Sequence, residues 1–247
     1  MEGVLLIDKP AGVSSHDVVA RVRRALGGPR TGHAGTLDPF ATGLLIVLVG
    51  RATKSQSVFM GLRKRYETVA QLGASSSTGD PEGEIVASGR LPPDPPPLPT
   101  GEVRQRPPVY SAVKIAGERA YRRARRGEQP EMPERIVTVH RFEQLWREPD
   151  PRLPGLERAG FQIECGSGTY VRSLIADLHD AYCLELRRTA IGPFEVAQAI
   201  APPPRGAGGA SPPAPGAADA HPWTPAPIEL ARALELAAEP PAGARPQ

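Results

Sequence analysis

The order of apolar and polar positions divides the first two hundred residues into short strands and helices. Residues 4–7 (VLLI) and 44–49 (LLIVLV) are unbroken apolar runs, closed by the turn sequence DKPAG and by Gly50. Both predict buried strands. Val18, Val19, Val22 and Leu26 recur at helical spacing between a cap at Ser14 or Ser15 and the stop Gly27-Gly28-Pro29, which predicts a helix. Residues 52–60 predict a second helix, and residues 64–72 alternate in the period of a half-buried strand. Residues 135–142 and 160–165 also read as strands, with a turn-rich stretch at 149–154 between them. Val171, Leu174, Ile175 and Leu178 predict a helix over 169–180. Strands and helices without a strict βαβ repeat predict an α+β fold rather than a doubly wound one.

Beyond residue 200 the pattern fails. Residues 201–227 are mostly Pro, Ala and Gly, bury too little apolar surface to offset ordering entropy, and read as a disordered linker. Residues 228–237 have near-helical spacing and predict a short helix in a C-terminal tail, 228–247. A second Pro-rich patch, 91–99, predicts an exposed loop.

The net charge of +3 says little, but its distribution says more. Residues 104–126 hold Arg104, Arg106, Lys114, Arg119, Arg122, Arg123, Arg125 and Arg126 against the single acid Glu118, with Tyr110 and Tyr121 between them. Arginines interleaved with tyrosines suit phosphate contact and base stacking, although a solvated helix face has the same composition. Cys165 and Cys183, with no CxxC spacing, suggest a reduced compartment without disulfide or metal site. The N-terminus lacks a charged leader and long apolar core, and no run approaches the roughly twenty apolar residues of a membrane helix. The expectation is a soluble cytoplasmic protein with no membrane partner.

Candidate chemistry concentrates in residues 32–43, GHAGTLDPFATG. One carboxylate, Asp38, sits in a loop of glycines, small hydroxyl residues, a proline and His33, directly before an apolar strand. An acid fixed beside a rigid strand is a plausible catalytic placement, while an Asp-Pro pair also simply starts turns.

This loop resembles the GHxGTLDPxAxG hallmark of the TruB family of bacterial tRNA pseudouridine-55 synthases. Four further blocks follow the family's order: LIDKPAGVSS at 6–15, KRY at 64–66, RPPVYSAVK at 106–114 and GSGTYVRSL at 166–174, followed by LRRT at 186–189. The resemblance covers about residues 3–200. It implies a pseudouridine-synthase fold, a mixed and mostly antiparallel sheet flanked by helices and loops. It also implies a catalytic domain over 1–200 with an RNA-gripping insertion at about 100–135. The implied partner is the T-arm stem-loop of tRNA, bound by a monomer that needs no cofactor, metal or obligate protein partner.

The implied reaction is isomerisation of uridine 55 to pseudouridine, with Asp38 as the essential carboxylate, either nucleophile or base. Arg172 is the cation the family places beside it; Tyr66 and Tyr170 contact the flipped base, and Leu186 lines the same pocket. His33 fills the space the base vacates, and Lys9, with Pro10, shapes or contacts the site. A tRNA-folding module of the same fold with weak catalysis is the alternative. A glycosidase-like use of Asp38 needs a paired carboxylate, and no second acid has a comparable setting. Two departures stand out. The segment 179–185 is shorter than the Gly/Cys/Gly-rich stretch the family usually has there, and the C-terminal tail is too short for the family's small RNA-binding domain.

Overall fold

The computed structural model describes residues 1–111, 113–115, 117–206, 223 and 225–239. The predicted disorder of 207–222 and 224, and the tail beyond 239, lie outside the described residues. In chain order the elements begin β1 (Gly3–Lys9), α1 (Ser15–Ala25), β2 (Thr31–His33), β3 (Thr42–Val49), α2 (Gln56–Gly61) and β4 (Lys64–Leu72). Then come β5 (Ala74–Ser76), β6 (Ile85–Ala87), β7 (Gly101–Gln105), β8 (Lys114–Ile115), β9 (Glu118–Arg119) and α3 (Ala120–Arg125). The chain continues with β10 (Arg135–Pro149), β11 (Glu157–Cys165), α4 (Val171–Ala176), β12 (Ala181–Ile191), β13 (Phe194–Glu195) and α5 (Leu230–Ala238). This is an α+β protein, as the sequence predicts. It forms two compact units, Met1–Leu62 with Arg188–Gln247, and Arg63–Arg187.

In the first unit β3 pairs antiparallel with β1 along one edge and with β2 along the other, and β12 follows β3 in the strand order. Both faces of this sheet are covered. Val4, Leu6, Leu44, Ile46 and Leu48 pack with Phe59, Phe194 and Ala233 of α5, while Leu5, Ile7, Leu45, Val47 and Val49 pack with Val18 and Val22 of α1. Double coverage is why residues 44–49 are apolar without alternation. The free edge of β1 is closed at two points: Ile228 exchanges both backbone bonds with Val4 at 2.9 Å, and the Ile200 carbonyl accepts from the Asp8 amide at 2.9 Å. The predicted helix of the C-terminal tail, observed as α5, is thus part of this core.

Helix α1 starts as predicted. The Ser14 hydroxyl accepts from the Asp17 amide at 3.1 Å, and the Asp17 carboxylate accepts from the Ser14 amide at 3.1 Å. This capping box satisfies two of the open donors of the first turn. Gly43, the second residue of β3, has φ +103°, and a Cβ there would lie 2.3 Å from the Arg188 carbonyl oxygen and 2.7 Å from its nitrogen.

In the second unit the strand order is β12–β4–β11–β10–β7, and the β4–β11, β11–β10 and β10–β7 pairings are antiparallel. Strand β10 runs on past its predicted end at 142, because β11 pairs with it as far as Pro149 opposite Glu157. The Asp150 carboxylate then closes the turn by accepting from the amides of Arg152 (2.7 Å) and Leu153 (3.1 Å). The predicted helix over 169–180 is shorter than expected. It ends at Ala176, and His179 (φ 64°) and Asp180 (φ 44°) turn the chain through the left-handed region that His and Asp tolerate. Strand β12 begins at once, so most of 179–185 is strand rather than connection.

Two stability effects follow. Ser14→Ala should lower unfolding free energy by about 1 kcal/mol in chemical denaturation. The Ser14 hydroxyl and amide hold the Asp17 carboxyl below its ordinary range. That part of the stabilisation is therefore present at neutral pH and lost as pH falls, and the Ser14→Ala penalty should shrink in acid. Gly43→Ala meets rigid backbone at a positive φ, and should cost about 3 kcal/mol or more, read as a large drop in melting temperature.

Candidate functional site

The first unit holds Asp38, Lys9 and His33. The backbone on either side of Asp38 is fixed almost residue by residue. The Ser15 hydroxyl accepts from the Leu37 amide at 2.9 Å and donates to the Leu37 carbonyl at 3.2 Å. The Asp38 carbonyl accepts from the Ala41 amide (3.2 Å), which makes the Asp-Pro pair a tight turn as well as a candidate site. The Pro39 carbonyl accepts from the Gly12 amide (2.8 Å) and from Lys9 Nζ (3.2 Å).

Lys9 is fully buried and also donates to the carbonyls of Pro10 (2.9 Å) and Val13 (2.7 Å). It therefore ties the N-terminal motif to the Asp38 turn. Asp38 itself is half-buried. His33 lies in β2 opposite Val47; its carbonyl accepts from Gln56 Nε2 at 2.7 Å, and its ring meets His16 edge-on at 5.4 Å between centroids.

A second buried cation, Arg188, serves the same loop; it stands in the LRRT block of 186–189, where the resemblance implies no role for it. Its side chain is 1% exposed. Nε donates to the Leu44 carbonyl (2.7 Å), Nη2 to Gly35 (3.0 Å) and Nη1 to Thr36 (3.5 Å). The available signal was a basic residue at a buried phase of β12, between the buried Leu186 and Ala190.

The second unit holds Tyr66, Tyr170, Arg172 and Leu186. Tyr66 lies on β4 opposite Ile163 and is buried. Leu186 is buried on β12, one residue beyond Glu185, whose carbonyl accepts from the Thr68 hydroxyl of β4 at 2.6 Å. Arg172, 3% exposed in the first turn of α4, donates to the carbonyls of Thr78 (2.7 Å) and Tyr110 (2.9 Å) and pairs with the Asp80 carboxylate at 3.1 Å. It is not the surface arginine that a short helix would ordinarily carry.

Asp80 is a buried second acid that the sequence did not flag. It also accepts from the Thr78 hydroxyl (2.5 Å) and the Glu82 amide (3.1 Å). A buried ion pair with its remaining lone pairs satisfied resists removal of either partner.

Tyr170 is held by reciprocal bonds with the buried Gln105 amide, at 2.8 and 2.9 Å, and the Arg135 guanidinium lies 4.8 Å from its ring centroid. The Ser173 hydroxyl donates to the Arg106 carbonyl at 2.9 Å. The start of α4 is thereby stitched to residues 105–110, at the root of the basic insertion.

Within that insertion the arginines are partly neutralised. Arg126 bridges Glu118 (2.7 Å) and Glu128 (2.8 Å), Arg123 pairs with Glu128 (2.6 Å) and Arg106 with Glu134 (3.0 Å). Arg126 holds the Glu118 carboxyl, and Arg123 with Arg126 the Glu128 carboxyl, below the ordinary range. Among the described residues, Arg104, Lys114, Arg122 and Arg125 are exposed and in no ion pair. No group of three His, Cys, Asp or Glu gathers as metal ligands among the described residues.

Comparison with known proteins gives consistent matches. The TruB family pseudouridylate synthase (N terminal domain) profile matches residues 23–171. The tRNA pseudouridine synthase B of Thermobifida fusca is 46% identical over 213 residues, 80% of this chain and 72% of that protein. The tRNA pseudouridine synthase B of Mycobacterium leprae is 43% identical over 219 residues, 80% of this chain and 66% of that protein. Among solved structures, a Cbf5-Nop10-Gar1 complex matches at TM-score 0.57 and 31% identity, over 78% of this chain and 50% of the other. An H/ACA RNP bound to a substrate RNA containing 2'-deoxyuridine matches at TM-score 0.54 and 28% identity, over 78% of this chain and 48% of the other. The chain thus spans about half of those solved chains. It belongs to the TruB family of pseudouridylate synthases.

Proposed function

We infer that this chain is a tRNA pseudouridine synthase that isomerises uridine 55 in the T-loop. The observation that carries the assignment is the single carboxylate of Asp38, presented on a turn whose backbone is bonded on both sides, in a chain of this family. The reaction is an isomerisation and consumes no co-reactant. The C1′–N1 bond breaks, the uracil turns while held, a C1′–C5 bond forms, and the proton leaving C5 is balanced by one gained at N1.

Asp38 acts as nucleophile or as base in that sequence, and both roles need its position fixed before the base arrives. The other residues divide the remaining work. Tyr66 and Tyr170 offer aromatic faces to an unstacked base, an interaction of about 1–3 kcal/mol per base against an unstacking cost of a few kcal/mol. Leu186 supplies apolar lining and Arg172 the cation, while His33 fills the gap the base leaves in the RNA. The basic insertion supplies sequence-independent phosphate contacts through Arg104, Lys114, Arg122 and Arg125.

The direct test is an unmodified tRNA transcript incubated with the protein and mapped by carbodiimide-blocked reverse transcription. Pseudouridine should appear at the T-loop uridine and vanish with Asp38→Asn while RNA binding persists. Product formed by Asp38→Asn, or none formed by the parent protein, overturns the assignment. Arg172→Lys keeps a charge but loses the planar fork that spans Thr78, Tyr110 and Asp80. It should lower turnover by about 100-fold or more with RNA affinity within a few-fold; equal losses of both would contradict the role given to Arg172.

A further inference from the structure

We propose that Arg188 is a positioning residue for the Asp38 loop, acting through backbone carbonyls alone. The inference rests on Asp38 as the reacting group. Three observations carry it. First, the guanidinium is buried on the apolar face of β12, yet among the described residues no carboxylate pairs with it. An apolar side chain at such a position is commonly neutral or stabilising, so stability alone does not account for an arginine there.

Second, its donors go to the two ends of one loop, Gly35 and Thr36 within it and Leu44 at the start of β3, and so bracket the reacting residue. Gly35 and Thr36 stand before Asp38 and Leu44 after it. One rigid plane therefore fixes the spacing between the two arms of the loop, which a flexible ammonium does not reproduce. Third, Gly43 packs on the Arg188 backbone at a distance no other residue allows, so the guanidinium and the loop share a rigid origin.

The consequence is separable from folding. Displacing a reacting group by about 1 Å is enough to cost 100-fold in rate, while RNA affinity draws on surfaces that Arg188 does not touch. The experiment compares Arg188→Lys, Arg188→Met and Asp38→Asn with the parent protein. It measures melting temperature, tRNA affinity and the single-turnover rate constant at saturating tRNA, at a temperature where each variant is folded.

Both Arg188 variants should bind tRNA within about twofold of the parent and turn over about 10- to 100-fold more slowly at saturation. Lysine should not rescue, because the fork rather than the charge is required. If Arg188→Met melts too low to assay, Arg188→Lys alone decides the matter. A folded Arg188→Lys or Arg188→Met that turns over at the parent rate overturns the proposal. So does a rate loss that merely follows a loss of tRNA binding. If Asp38→Asn itself remains active, the reading of Asp38 fails instead, and the two failures are distinguishable.

Discussion

A guanidinium that has no carboxylate partner among the described residues, buried against three carbonyl oxygens, is the constraint on which the Asp38 loop depends. Taking a charge out of water is unfavourable unless its hydrogen bonds are replaced. Among the described residues Arg188 replaces them with the carbonyls of Gly35, Thr36 and Leu44, so the charge and the loop geometry are satisfied together. Lys9 works from the other side of the loop, on Pro39 and on the N-terminal motif. Between them the two cations turn what is locally an Asp-Pro turn into a fixed platform. That resolves the ambiguity of the residues themselves, because the turn and the presentation of Asp38 are the same structure.

The strands that carry these groups are made possible by coverage of both faces of β3. Such a strand has little freedom to slip, since every residue of 44–49 has a packing partner on its own side. Closure of the β1 edge by Ile200 and Ile228 extends the same logic to the sheet margin. The rigid support of the candidate acid thus follows from apolar burial that is plain in the sequence, while its fine positioning follows from polar groups that are not.

Legibility divides along that line. Strands β1 and β3, helix α1 with its Ser14 cap, and strand β4 were all readable, because apolar period and capping chemistry are local signals. Strand β12 escaped notice because Arg188 occupies a phase where Leu186 and Ala190 are buried, which hides the alternation. The predicted helix overruns α4 because Leu178 keeps the helical phase and stays buried although the helix has already ended at Ala176. Asp80 sits in a Ser-, Thr- and Gly-rich stretch that reads as loop, and Gln105 sits on a short strand. Neither has a periodic signature, and their importance appears only once Arg172 and Tyr170 are seen to need partners. Motif residues were legible by resemblance; the residues that hold them required coordinates.

The basic insertion shows why charge counted along the chain overstates what a polyanion meets. Glu118, Glu128 and Glu134 engage Arg106, Arg123 and Arg126, and two of these acids fall outside the window that made the segment look almost purely basic. Exposed ion pairs of this kind are weak, so phosphate oxygens can displace the glutamates at small cost. In the proposed reading the paired arginines are a reserve, whereas Arg104, Lys114, Arg122 and Arg125 are available at first contact. The same segment is bonded at its root to the helix that carries Arg172, through the carbonyls of Arg106 and Tyr110. In the proposed reading, RNA that rearranges residues 106–110 acts on Arg172 through covalent neighbours and two hydrogen bonds. The grip on RNA and the placement of the site cation are then parts of one polar network rather than separate functions of the fold.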